Sequence, residues 1–339
     1  MPSSCLPPSP PSLLDPHGEP AWGAYVGPLP PILLGSFARR QGFAAENTRR
    51  KRWIYAAIAT ERILLGMAIT DLRYAAHAFL FAAEIGPGGR MLADVSALGV
   101  PRVGCQVGDF PEEGCDAWFR STRASLFFRR PRGSSAYELI AITPELRVYA
   151  TLDTVGSPAP LAAILRPEGS PLMVTEKRVL MPVRGAFDLH GQRYWLDGAV
   201  GGMDYSQGYP PRETTWRWGF FLGKSVDGHP LAMNLVQGFN GYPECVVWFD
   251  GCSFPLGEGR FSFHETNPLD PWSIQTDDGA ASLSFEPCAL HQEAHDLGPI
   301  ATRFLQPIGV YRGHFDIPGR GRVLVDGAPG VAEDQYVRW

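Results

Sequence analysis

From Trp53 onward the apolar residues recur with the short period of strands. WIYAAIAT, ILLGMAIT and YAAHAFLFAAEI, the last ending at Gly86-Pro87-Gly88-Gly89, read as successive arms of an antiparallel meander. SLFFRR and AYELIAI follow, joined across PRGSS, and AYELIAI meets LRVYATL across Thr143-Pro144-Glu145. Connections this short make the arms neighbours. Beyond a looser stretch, GSPAPLAAILRPEGSP, a second series opens near Val179 with QRYWLDGAV, TWRWGFFLG, LAMNLVQGF and ECVVWFDG, and closes with FLQPIGVYRGHFDI and RGRVLVDG. Asp227-Gly228, Asp250-Gly251 and Asp278-Gly279 each fall between two such runs, where a tight hairpin turn needs them. Only Ala38 to Arg52 suits a short helix.

Two meanders of similar size predict an all-β protein of two barrels or sandwiches, joined between about residues 155 and 185. Residues 1 to 35, rich in Pro and Ser and containing GPLPPILLG, predict an extended arm over the surface. The expected organisation is an arm over 1–35, a first barrel over 36–180 and a second over 181–339. A long interface between the two would be a natural ligand site.

Composition agrees. The 339 residues exceed what one compact core usually accommodates, and 45% hydrophobic content with 38 Gly and 32 Pro excludes disorder, coiled coil and collagen. A net charge of -5, with no basic run beyond Arg49-Arg50-Lys51-Arg52, gives no footprint for nucleic acid. No apolar run of about 18 residues predicts a membrane span. The start, MPSSCLPPSPPSLLDPHGEP, lacks the charged and apolar segments of a secretory leader, so a cytoplasmic location is expected. The six cysteines (5, 105, 115, 245, 252, 288) form no C-x-x-C pair, which predicts reduced thiols without a zinc knuckle or disulfide framework.

Familiar motifs fail on single residues. Gly223-Lys224-Ser225 would end a phosphate-binding loop, but Trp218 stands where its first glycine belongs, and no G-x-G-x-x-G links a strand to a helix. Asp204-Tyr205-Ser206-Gln207-Gly208 has Asp where a serine-hydrolase elbow requires Gly. His291 and His295 in HQEAH, with Glu293, carry a weaker metal or hydrolase reading; the motif is not H-E-x-x-H and no third ligand is evident.

The stronger constellation is Gly202 to Gly208 followed by Thr214-Thr215-Trp216-Arg217-Trp218-Gly219. On a strand Trp216 and Trp218 share a face about 7 Å apart, with Arg217 opposite. Paired indoles fill a core as readily as they wall a cavity; the polar company favours the cavity. Asp204 lies just ahead, and Asn234 and Gln237 follow on the next arm, facing opposite ways so that only one reaches the site. A carboxyl desolvated there becomes a general acid, and indole faces favour a cation. In ITDLRYAAHAF, Asp71 and His77 share a strand parity that Tyr74 does not.

KRWIYAAIATERILLGMAITDLRYAAHAFLFAAEI, DYSQGYPPRETTWRWG and the closing GVAEDQYVRW together resemble the DUF2804 family. More distantly, GMDYSQG, WRWGFF and DGHPLAMNL resemble AttH-like proteins and carotenoid hydratases. The resemblance implies two consecutive lipocalin-like, calycin-type antiparallel β-barrels and chemistry without a redox cofactor: hydration, cyclisation or pericyclic reaction in a hydrophobic pocket. It places Asp204 at the motif aspartate as proton donor, and Trp216 and Trp218 on the aromatic strand. Tyr205 stands where relatives carry His.

The expected function is therefore a lyase or isomerase, without cofactor or metal, acting on a hydrophobic unsaturated small molecule. Asp204 and Tyr205 are its expected catalytic residues; Trp216, Trp218, Asn234, Gln237, Asp71, Tyr74 and His77 would bind substrate. The alternative is a lipid or hydrophobic-metabolite binding protein that performs no chemistry, since lipocalin-like barrels also hold ligands unreacted. The closing segment predicts a last strand with buried Trp339 and no catalytic part.

Overall fold

The computed structural model of the protein describes residues 6–339; Cys5 and the first five positions of the Pro-rich arm lie outside it. The chain is almost entirely antiparallel strand, in two sheets. The first runs in the spatial order 90–99, 76–84, 63–71, 51–59, 200–208, 173–189, 146–153, 136–142, 125–130, 115–120, 105–107. It curls into a nearly closed barrel, bringing Cys105–Val107 back against Ile63–Asp71. The second, ordered 252–255, 246–249, 230–238, 213–224, 321–338, 301–317, 281–296, 272–276, 259–262, forms a half-barrel. The expected hairpins pair as read, and Asp250 and Gly251 take φ of 50° and 80°, the left-handed conformation that tight turn demands.

The sheets change over between Gly208 and Glu213. The junction expected at 180/181 lies inside the strand Met173–Leu189, which belongs with Val200–Gly208 to the first sheet. Strand register explains this: Val200–Gly208 pairs along its whole length with Lys51–Ala59, closing the first meander rather than opening the second. The helix expected over Ala38–Arg52 is two short ones, Gly35–Gln41 and Phe43–Thr48, parted by Gly42 at φ 84°, and Lys51 already starts a strand.

Two burial patterns divide the first sheet. Ala136–Ile142 and Leu146–Asp153 alternate, with one face in the core and the other toward solvent. Lys51–Ala59, Ile63–Asp71 and Ala76–Glu84 are buried almost continuously. One face of these three strands, with Ile54, Ile58, Leu65, Met67 and Ile69, fills the first barrel. The other, with Tyr55, Ala57, Leu64, Phe79 and Phe81, packs in one core with Phe220, Leu222 and Tyr311 of the second sheet. Contact is close: a Cβ at Gly202 would come within 2.5 Å of the Phe220 ring.

The N-terminal arm is extended as expected, but it does not merely cover the surface. Leu13, Leu29, Ile32 and Leu34 are buried in the core of the first barrel, and Gly23–Val26 pairs with Leu161–Leu165. The reason is chemical as well as steric: Glu176 and Arg178 point into that barrel, and the Leu29 amide donates to Glu176 Oε2 at 2.6 Å. With the first barrel plugged, the space left for a ligand lies between the sheets. No helix among the described residues is long and apolar enough to cross a membrane.

Candidate active site

A cavity of about 410 Å³ opens in the interface between the sheets. Its walls are aromatic: Trp53, Tyr55 and Phe79 from the first sheet, Trp216, Trp218 and Phe304 from the second, with Trp339 closing one side against Trp53. The exposed side chains of Leu98, His295 and Leu297 mark its mouth.

Strand alternation decides which polar groups reach it. On Val200–Gly208, Asp204 and Ser206 face the cavity. On Met173–Leu189, Lys177 faces the cavity while its neighbours Glu176 and Arg178 face the first barrel. On Gly321–Arg338, Glu333 and Gln335 face the cavity and Asp334 turns away to Arg217, 3.0 Å distant.

These residues form a buried cluster. The Lys177 ammonium lies 2.7 Å from Asp204 Oδ1 and 3.1 Å from Glu244 Oε2. Ser206 Oγ lies 3.1 Å from Asp204 Oδ1 and 2.8 Å from Thr175 Oγ1, within hydrogen-bond reach of both, and Asn240 donates to Glu244. Burial works against the Lys177 charge, but the two carboxylates outweigh it and hold the ammonium above its ordinary pKa. Glu244 is pushed up by burial, against the pull of Lys177.

Glu333 is a cavity-facing acid whose pKa is raised. Burial raises its pKa to about 7, with the Asp204 carboxylate adding to the effect, although Trp216 Nε1 (2.7 Å) and Gln306 Nε2 (3.0 Å) donate to its two oxygens. The Lys177 ammonium pulls the other way, so burial remains the main reason that the Glu333 pKa is raised.

At the mouth a second polar chain bridges the sheets. His77 Nε2 lies 2.9 Å from Glu293 Oε2; Glu293 Oε1 accepts from Ser96 at 2.5 Å and lies 3.4 Å from His291 Nε2; His291 Nδ1 lies 2.8 Å from Asp94. Burial disfavours charge on His291, but Asp94 and Glu293 outweigh it and raise its pKa to about 9. Burial disfavours charge on Glu293, but the neighbouring His291 and His77 outweigh it and hold the carboxyl well below the usual carboxylate range. Among the described residues no group of three or more His, Cys, Asp or Glu is arranged to hold a metal ion.

Of the residues singled out in the sequence, Asp204, Trp216, Trp218, Tyr74 and His77 line the cavity. Tyr205 does not. Next to Asp204 on the same strand, it faces the first barrel, where its hydroxyl donates to Gly108 O at 2.7 Å, so it has no access to a ligand here. Asn234 sits one layer behind, accepting from Trp218 Nε1 at 2.8 Å and donating to Glu244 O. Gln237 faces elsewhere and accepts from the Phe261 amide. Asp71 is buried away from the cavity, bonded to the Arg73 amide. The parity argument for Asp71, Tyr74 and His77 fails because a turn at 72–75, with Arg73 at φ 72°, separates two strands, so Tyr74 and His77 reach the site together.

Lys177, Glu244 and Glu333 were not singled out. The sequence carries a signal for two of them: Thr175-Glu176-Lys177-Arg178 and Glu333-Asp334-Gln335 are polar runs inside otherwise apolar strands. Glu244 arrives from a short 3-10 turn, Tyr242–Glu244, and has none.

Solved structures of CghA share the fold. The structure of CghA is 13% identical and covers 98% of this chain and 97% of its own, with a TM-score of 0.57. That of CghA with Sch210972 is 11% identical over the same shares, with a TM-score of 0.53. Kievitone hydratase from Nectria haematococca is 12% identical, over 84% of this chain and 88% of its own, at 0.48. No curated protein matches the chain. The family model described as a domain of unknown function, DUF2804, matches residues 8–339, nearly the whole sequence, and the chain therefore belongs to the DUF2804 family.

Proposed function

We propose that the cavity is the active site of a lyase or isomerase, of hydratase, dehydratase or cyclase type, acting without a cofactor on a hydrophobic unsaturated small molecule. The observation that carries this reading is Glu333, a carboxyl group inside an aromatic chamber whose pKa burial raises to about 7, so that it can give up a proton near neutral pH. Such a group protonates an alkene or carbonyl when the product carboxylate is met by ready donors. Trp216 and Gln306 already point at its two oxygens.

In this reading Asp204 is the charged partner rather than the proton donor expected of it. It shares the Lys177 ammonium with Glu244, and its charge both retains the Glu333 proton and favours a cation developing in the cavity. The indoles of Trp216 and Trp218 shelter that cation. Two carboxyls with different environments thereby take different roles. CghA, of the same fold, has been solved with Sch210972, which is the sense in which a small-molecule partner is proposed here.

The test begins with organic extraction of protein purified from its host and incubation of the extracted compound with wild type and Glu333→Gln. The variant is expected to retain the compound in native mass spectrometry and lose turnover by roughly 10²-fold or more. A compound that wild type binds and returns unchanged points to a non-catalytic binding protein. Full turnover by Glu333→Gln removes the acid.

A further inference from the structure

We propose that His77 is a general base at the mouth of the cavity, positioned by Glu293, and that the site catalyses double-bond migration in a substrate with an acidified allylic C–H. This deepens, and rests on, the reading above. His77 lines the cavity, and with Nε2 held 2.9 Å from Glu293 its second nitrogen, Nδ1, is the one left for a ligand. Glu293 is itself fixed, by Ser96 at 2.5 Å and by His291, which Asp94 anchors at 2.8 Å. A base oriented by a carboxylate that is in turn oriented by a third group is the arrangement by which side chains are set for proton transfer. Asp94, Ser96 and His77 come from the first sheet, and His291 and Glu293 from the second, so the chain of contacts spans the interface that forms the cavity.

The step balances with no redox partner. Nδ1 accepts the allylic proton, the C–H electron pair becomes the new C=C π bond, and the old π pair takes the proton released by Glu333. The imidazolium and carboxylate left behind exchange protons through water at the mouth. The buried acid and the base nearer the mouth act on the two terminal carbons of one allyl system. His295, exposed and 3.8 Å from Glu293 Oε2, is the neighbour that could substitute, and its own variant controls for it.

Nitrobenzisoxazole tests the base without a known substrate. Its ring opens when a base takes the C–H proton, the C–H pair becoming part of the nitrile and the N–O pair leaving on the phenolate. This reaction needs no proton donor, so a failed assignment of Glu333 does not disturb the readout. Wild type is expected to exceed buffer, His77→Gln to lose at least about tenfold in kcat/KM, and His295→Gln to lose little. Glu293→Gln should lower kcat with KM unchanged, the mark of a positioning residue. A folded His77→Gln with the wild-type rate, or a wild-type rate equal to buffer, overturns the proposal. Should His77→Gln not fold, diethyl pyrocarbonate on wild type decides. Acylation mapped to His77 with parallel loss of rate supports the base; a rate that survives acylation, or a His77 that resists it, overturns it.

Discussion

The Glu333 pKa is raised chiefly because the side chain is buried away from water, and the nearby Asp204 carboxylate adds to that while Lys177 works against it. The consequence is a pH dependence whose sign is fixed. Glu333 goes from 4.5 unfolded to about 7 folded, so its stabilisation is complete below pH 4.5 and is lost as pH rises through about 7. Across that window wild type should lose roughly 3 kcal/mol relative to Glu333→Gln, read from urea unfolding of both proteins at each pH. Asp204→Asn removes one of the charges retaining the proton, so the upper edge of the window should move down. A parallel pH dependence in wild type and Glu333→Gln would mean that another group holds the proton. Lys177 is the complementary test. Replacing it with Met strands two buried carboxylates, and a loss of about 3–5 kcal/mol is expected. A variant within 1 kcal/mol of wild type would show that the ion pairs are not the structural centre of the site.

Among the elements, the strands were legible in proportion to how far each obeys one local rule. Ala136–Ile142 and Leu146–Asp153 alternate and pair across Thr143-Pro144-Glu145 as their pattern predicts, and Asp250-Gly251 turns the hairpin of Val246–Phe249 and Cys252–Pro255. Val200–Gly208 was read as a site strand, and Asp204 is indeed in the cavity, but nothing in its neighbourhood tells that its partner is Lys51–Ala59, some 150 positions earlier. That pairing is settled by packing, which local periodicity does not record. Tyr205 illustrates the same gap: its type suited a site, while the pleat, once Asp204 faced the cavity, turned it to the other side. Glu333 is the reverse case, a site residue in a segment read only as a closing strand. Gly202 concentrates the packing requirement in one atom. Gly202→Ala would press a methyl group against Phe220, which stacks on Trp218 at 5.3 Å, and against the Arg178 carbonyl at 3.1 Å. A cost of roughly 1–3 kcal/mol is expected, together with altered Trp218 fluorescence because the displaced ring stacks on that indole. An unchanged melting temperature and spectrum would mean that the sheets separate more easily than their contact suggests.

The molecule as a whole has a site only because its two sheets share a core. Tyr55, Phe79 and Phe81 of the first sheet and Phe220, Leu222 and Tyr311 of the second belong to one hydrophobic cluster, and the cavity is a gap within it. The first barrel is likewise incomplete without the arm, whose Leu29 and Ile32 occupy its core. Neither sheet can therefore bury its apolar surface alone. A fragment beginning at Glu213 would expose the face of Glu213–Lys224 that carries Trp218 and Phe220, and would leave Glu333 without Asp204 and Lys177. The expected result is an unfolded or aggregating fragment, and for the full chain a single cooperative thermal transition, the same by near-ultraviolet circular dichroism and by calorimetry. Two resolved transitions, or a soluble fragment with native-like tryptophan signals, would show that the half-barrel stands alone. The cavity would then be a docking seam between independent units, and the acid would be assembled only when they meet.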